Sequence, residues 1–212
     1  MSTTEPAARP IRARRGQGDK TGDEILDAAE HLLLETGNEA LVSMRAVAKR
    51  VGVTPPAIYQ HFDDKDAMIE AVCDRRFGQM IRMFDEATAS ADDPLSQLLE
   101  MGRAYVRFAV ENPEPYRVLM MTRGTKELVA KVPERPTQGT IAFQRLVDKV
   151  AECIEAGSIP QQDPLEASLI MWAAVHGLTA LMIMTPVTPT GTGWPEGIVD
   201  KLLVASVRGL GG

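Results

Sequence analysis

Apolar residues recur along this chain at helical spacing from residue 25 onward, and no segment of strand length alternates with period two. Ile25, Ala28, Ala29, Leu32 and Leu33 fall at i, i+3, i+4, i+7 and i+8, one stripe of a first helix. Its expected start is Thr21, because Thr21-Gly22-Asp23-Glu24 matches a capping box in which hydroxyl and carboxylate each satisfy a first-turn N–H. Gly37 supplies a left-handed stop. A second helix opens at Ser43, a good N-cap, and runs through Val47, Ala48 and Val51 to Gly52. A third is capped by Thr54 and has Pro55 and Pro56 in its first turn, where a missing N–H breaks no bond, with Ile58 and Phe62 turned inward. Asp63 or Asp64 caps a long fourth helix over about 65–88, with Ile69, Val72, Cys73, Met80 and Phe84 inward. Further helices are expected near 94–111, 113–122, 137–156, 164–184 and 195–209, separated by Asp93-Pro94, Asn112-Pro113 and Pro- or Gly-bearing loops.

The second and third helices are too short to bury much on their own account. They meet at Gly52-Val53-Thr54, where a glycine permits a sharp turn and a close approach of backbones. That is the layout of a helix-turn-helix, in which one helix braces a second against the major groove of DNA. Ala48 and Gly52 give closeness, and Val47, Val53 and Ile58 a small core.

The net charge of −6 argues against nucleic acid only until the chain is divided. Residues 6–20 hold Arg9, Arg12, Arg14, Arg15 and Lys20 against Asp19, a net of +4. Residues 40–62 hold Arg45, Lys49 and Arg50 with no acid, a net of +3, and local charge is what phosphates feel. Residues 1–20 lack periodicity and read as a flexible basic arm, either a DNA contact or a solvated tail. Leu165 to Pro186 is strongly apolar, but Glu166 and His176 interrupt it, so a buried helix is expected and no membrane partner. Cys73 and Cys153 lack metal-like or redox-like spacing and sit in apolar helical patterns, which suits a reducing cytoplasm.

With these residues in view, Ala48-Lys-Arg-Val-Gly-Val-Thr followed by Ile58-Tyr-Gln-His-Phe-Asp-Asp-Lys65 resembles the DNA-binding domain of TetR-type transcriptional repressors over about residues 21–75. The resemblance implies phosphate contacts by Thr54, Tyr59 and His61, a backbone clamp by Lys65 at the start of the fourth helix, and a similar role for Ser43. It leaves base reading to Pro55, Pro56, Gln60 and Arg45. The proline pair departs from the family pattern, since two rings offer only apolar contact, for example to thymine methyl groups. Gln60, facing adenine, is then the polar reader, and Arg12, Arg14 and Arg15 would add minor-groove or phosphate contacts.

Trp172-Ala-Ala-Val-His176-Gly177 resembles the Trp-His-Gly signature of one subgroup of TetR-family C-terminal domains, and Asn112-Pro-Glu-Pro-Tyr-Arg-Val-Leu-Met120 its helix-break-helix segment. The resemblance implies a homodimer through the last two helices and an effector cavity between the middle ones. Candidate lining residues are Met101, Tyr105, Phe108, Met120, Phe143, Met171, Trp172 and His176. His176 either faces that cavity or is a satisfied core residue. Eleven methionines, with these aromatics, favour an apolar or aromatic effector. No phosphate loop, metal spacing or converging nucleophile and base is present, so no enzyme and no cofactor is expected.

The resulting expectation is an all-α chain. Residues 1–20 form the basic arm, and 21–66 an N-terminal three-helix helix-turn-helix domain. A long helix joins that domain to a C-terminal helical ligand-binding and dimerisation domain over 67–212. It would act as a cytoplasmic, ligand-responsive dimeric repressor of a palindromic operator on double-stranded DNA. The alternative is an activator, or a regulator controlled by a protein partner.

Overall fold

The computed structural model describes residues 15–117, 119, 136–185 and 193–211, and every regular element among them is helical. In chain order these are α1 (Arg15–Thr36), a 3-10 turn at Glu39–Leu41, α2 (Met44–Val51), α3 (Pro55–Ile58), α4 (Lys65–Thr88), α5 (Pro94–Glu111), α6 (Pro113–Tyr116), α7 (Gln138–Glu155), α8 (Pro164–Met184) and α9 (Ile198–Gly209). Residues 118 and 120–122, the end of the helix expected over 113–122, lie outside the described residues.

Two boundaries differ from the sequence expectation. α1 opens at Arg15, so Thr21 lies inside the helix and does not cap it. A helix anchored by the buried stripe Ile25, Ala28, Ala29 and Leu33 extends backwards without a new nucleus, and no proline stands between residues 11 and 20 to stop it. The last helix begins at Ile198 and not at 195, because Gly197 stands before it in the left-handed region at φ +70°.

Contacts divide the chain between Val72 and Cys73, inside α4 and beyond the boundary expected at residue 66. The reason is visible in burial: Met68, Ile69 and Val72 sink into the N-terminal unit together with Ile25, Ala29, Val42, Val47, Ala48 and Ile58. Within that unit α1 packs on α2, and α2 on α3.

In the C-terminal unit α5, α7, α8 and α9 pack closely on one another around Leu98, Val150, Cys153, Ile154, Ala167 and Met171. α4 meets this group at the first turn of α7, where the Gln138 N–H donates to Asp74 Oδ1 at 3.0 Å and Phe77 lies against Gly139. Cys73 and Cys153 are buried free thiols, and burial pushes the Cys153 thiol up to about 11, so it behaves as a small apolar group. α8 is apolar enough by length and composition to span a bilayer, yet its two buried hydroxyls are satisfied within the helix. Ser168 Oγ donates to the Pro164 carbonyl at 2.6 Å, and Thr179 Oγ1 to that of Val175 at 2.7 Å.

Leu203 of α9 packs directly over Gly102 of α5. A Cβ added at Gly102 would fall 2.4 Å from Leu203 Cδ2, and Leu203 is itself buried. Gly102→Ala is therefore expected to lower stability by roughly 1–3 kcal/mol, the usual cost of overpacking. Adding Leu203→Ala to it should cost less than the two changes summed, and urea unfolding of the four proteins reads that coupling.

Candidate functional site

The N-terminal unit presents a short reader held from behind. Ser43 Oγ accepts the Ala46 N–H at 3.2 Å and so fixes the first turn of α2. Gly52, at φ +83°, ends that helix, and both Gly52 N–H and Val53 N–H converge on the Ala48 carbonyl at 3.0 Å. This double closure makes the tight turn that delivers the chain to Thr54.

α3 is a single α-helical turn, after which Gln60, His61 and Phe62 N–H groups return to the Ala57 and Ile58 carbonyls. Thr54 occupies the N-cap position, but its side chain makes no capping bond, contrary to expectation. With prolines at the first two helical positions fewer N–H groups need a partner there, which leaves the exposed hydroxyl unspent. Ile58 is fully buried, worth about 1.5–3 kcal/mol, and it is the anchor of the turn. Phe62, expected inward as well, is only half-buried.

Around that anchor the polar candidates point outward. Tyr59 is 54% exposed, and Ser43, Arg45, Thr54, Pro56, Gln60 and His61 are exposed too, while Pro55 is half-buried. His61 Nδ1 stands 3.6 Å from the Cβ position of Gly22, so one side of its ring lies along α1. Lys65 Nζ donates to the Glu39 carbonyl at 3.1 Å, which leaves two of its three donors for a phosphate. Arg50 is spent differently: its guanidinium grips Glu35 of α1 through both Nη atoms, one at 2.9 Å, and holds that carboxyl below its ordinary range. Arg45 and Lys49 are exposed, and Lys65 is half-buried. Arg12 and Arg14 lie outside the described residues, as does the Arg15 side chain.

The C-terminal unit holds a cavity of about 280 Å³ that is partly open to solvent. Of the expected residues Met101, Tyr105, Phe143, Met171 and Trp172 line it. Phe108 is buried without lining it, and Met120 lies outside the described residues. The expectation missed the wall that α4 supplies with Phe77, Met80 and Phe84, and the floor that Leu203 supplies from α9. In sequence those α4 residues show only an inward stripe, which a packed core and a cavity wall share.

His176 is one turn beyond Trp172 on α8 and does not line the cavity. It closes a polar triangle behind the wall: its Nδ1 is 2.9 Å from both Tyr105 Oη and Tyr116 Oη, and those hydroxyls are 3.0 Å apart. Rings hold the triangle in place, with Trp172 against His176 at 5.2 Å and Phe143 edge-on to Trp172 at 5.9 Å. Burial raises both phenols, Tyr116 to about 12, and lowers His176 below its ordinary 6.5, so all three groups are uncharged at neutral pH.

A folded-state pKa below the unfolded value means that the unfolded chain takes up the proton first as pH falls. The stabilisation from neutral His176 is therefore complete above about pH 6.5 and is lost below it. Between pH 7.5 and 5.5 the protein should lose more unfolding free energy than its His176→Gln variant. The excess is bounded at about 1.4 kcal/mol per pH unit. Equal losses in urea titrations at the two pH values would contradict a buried neutral imidazole.

Comparison with known proteins matches both units. The description "Bacterial regulatory proteins, tetR family" fits residues 25–72, and "Tetracyclin repressor-like, C-terminal domain" fits residues 98–205. The uncharacterized HTH-type transcriptional regulator YobS of Bacillus subtilis is 28% identical over 160 residues, 74% of this chain and 76% of its own. The HTH-type transcriptional activator FasR of Mycolicibacterium smegmatis is 26% identical over 178 residues, 84% of this chain and 76% of its own. The structure of FadR from Bacillus subtilis with stearoyl-CoA superposes with a TM-score of 0.67 at 16% identity, covering 88% of this chain and 98% of that one. With a helix-turn-helix in the first unit, an apolar cavity in the second and family matches over both, the chain belongs to the TetR family of DNA-binding, ligand-responsive transcriptional regulators and is not an enzyme.

Proposed function

We propose that this protein is a cytoplasmic dimeric repressor that holds a palindromic operator until a small apolar or aromatic effector enters the 280 Å³ cavity. The observation that carries the ligand half of this reading is the make-up of that cavity. Among the described residues its lining is mainly apolar and aromatic, and no lining side chain is charged. FadR of Bacillus subtilis was solved with stearoyl-CoA, which supports a small-molecule effector here too. The phosphates of such a ligand would find no partner among these lining side chains, so only an uncharged portion would enter.

α8 supports the dimer. One of its sides is spent on Ala167, Met171, Val175 and Thr179, all buried, while Leu165, Leu169, Ile170, Leu181 and Met184 remain 42–60% exposed. An apolar stripe of that length is favourable only when covered. A second copy of the same stripe covers it isologously, and the two-fold so created puts two readers on the two halves of a palindrome.

α4 supports the coupling. The same continuous helix carries Phe77, Met80 and Phe84 at the cavity and begins at Lys65 beside the reader. An effector with different affinity for two placements of α4 changes the fit of both readers at once. Activation is the second reading, favoured by the name of FasR, and the direction of the transcriptional response to added protein decides between them.

The DNA claim is tested by titrating the protein against its own upstream region. A palindrome-dependent complex at submicromolar protein, weakening steeply with salt, is expected; its absence overturns the reading. Tyr59→Phe should weaken binding about equally on all sequences, whereas Gln60→Ala should cost about 1–3 kcal/mol and relax preference at one base pair. Ser43→Asp keeps the cap but sets a carboxylate before the phosphates, so it should bind DNA more than tenfold worse while unfolding like the parent. Leu169→Glu should yield monomers by light scattering and reduce operator affinity with them.

A further inference from the structure

On the effector reading just given, we propose that Gly102 is a specificity-determining residue: by lacking a Cβ it keeps Leu203 clear of the cavity and so sets how deep an apolar ligand enters. Backbone conformation does not account for this glycine. Gly37, Gly52, Gly157 and Gly197 stand at positive φ, whereas Gly102 lies inside α5 without it. Glycine at such a position weakens a helix relative to alanine. Space accounts for it instead. A Cβ at Gly102 would fall 2.4 Å from Leu203 Cδ2, 3.2 Å from Cδ1 and 3.4 Å from Cγ. Carbon atoms rest about 3.5–4.0 Å apart, so Leu203 would have to move by about 1 Å or more.

Where Leu203 would go is decided by its surroundings. It is 1% exposed, and it lines the cavity together with Gly102. A close-packed interior has few voids, and the cavity is the open space that adjoins this side chain. Separation of the two helices is opposed beside the contact, where Arg103 Nε donates to Asp200 Oδ1 at 2.6 Å and ties α5 to α9. An added methyl group therefore turns the Leu203 side chain into the ligand's space. The same relation recurs at Gly139, where a Cβ would meet Phe77 Cε2 at 3.0 Å. In both places a cavity-lining glycine receives a large cavity-lining side chain from another helix.

Burial places Leu203 at the inner end. Of the lining residues Thr140 and Gln144 are exposed and mark the open side, whereas Leu98, Met101 and Leu203 are buried. Because one side is open, a shallower cavity does not exclude a long ligand but leaves more of it in water. Depth is therefore read from the worth of each added methylene. A methylene that is buried raises affinity about fourfold, and one that projects into solvent adds almost nothing.

A series of 4-n-alkylphenols from ethyl to nonyl, uncharged at neutral pH, tests this by calorimetry on the full-length protein. Affinity should rise about fourfold per methylene up to a limiting chain length and then level off. Gly102→Ala should shorten that limit by about one or two methylenes, so that the parent's best ligand binds about 4–16-fold more weakly. Leu203→Ala should lengthen the limit, and Gly102→Ala combined with Leu203→Ala should regain at least the parent's. Gly177→Ala, inside α8 with nothing within 4 Å of the new Cβ, should leave the limit where it was. If Gly102→Ala keeps the parent's limit, or lowers every affinity equally without shortening it, this inference is overturned and the cavity still stands as a ligand site. Leu203→Ala makes no demand on the space at Gly102, so an unchanged limit in that variant overturns the inference even where Gly102→Ala does not fold. If no member of the series binds a parent protein that unfolds cooperatively, the effector-cavity reading falls and this inference falls with it.

Discussion

A helix of one turn has no stability of its own, since fixing its residues costs more than its few bonds return. α3 is such a helix, and it persists because Ile58 is inserted completely into a core built by α1, α2 and the first turns of α4. Everything that points at DNA depends on that anchor. Gly52 sets the angle of arrival, the proline pair stiffens the start, and Asp64 starts α4 by accepting the Ala67 N–H at 2.8 Å. Because Ile58 takes the inner side, Tyr59, Gln60 and His61 are left to the outer ones. The Arg50–Glu35 pair and the Lys65–Glu39 bond then tie α2 and α4 back to the segment before them.

The second unit obeys the opposite constraint. Where the reader needs a filled core, the C-terminal helices pack tightly on one side and leave a void on the other. Gly102 makes room on α5 for the Leu203 side chain of α9, and Gly139 lets Phe77 approach α7. Between those contacts the aromatic and methionine walls border space instead of filling it. A void lined by well-packed side chains loses dispersion contacts on its inner surface, a cost that an occupant removes. That is the physical reason for an occupant to shift the placement of the helices around it, and α4 is the one that also begins beside the reader.

The reader was legible from sequence because it is written in residues with few alternative uses. Ser43, Gly52, Thr54 and the prolines each satisfy one local rule, and the structure places all of them at the ends and turns they imply. Thr54 shows the limit: position is a matter of local pattern, while the hydrogen bond depended on how many N–H groups the prolines had removed. The start of α1 was misread because a capping-box pattern is local, whereas extension to Arg15 comes from a helix already anchored downstream. The cavity was legible only in part. Met101, Tyr105, Phe143, Met171 and Trp172 were identifiable as candidates, but Phe77, Met80 and Phe84 carry the same spacing as any inward stripe. Tyr116 and His176 meet across sixty residues of chain, and no periodicity announces such a contact.

The central claim is that occupancy of the cavity and possession of DNA are linked through one protein. Linkage is reciprocal, so the most direct measurement is the affinity of the protein for its upstream DNA, taken with and without a saturating uncharged aromatic probe such as naphthalene, and the affinity for that probe, taken with and without that DNA. The account predicts that both affinities fall by the same factor, in the usual range of about 5–150-fold. A DNA affinity indifferent to a ligand that demonstrably fills the cavity would contradict it.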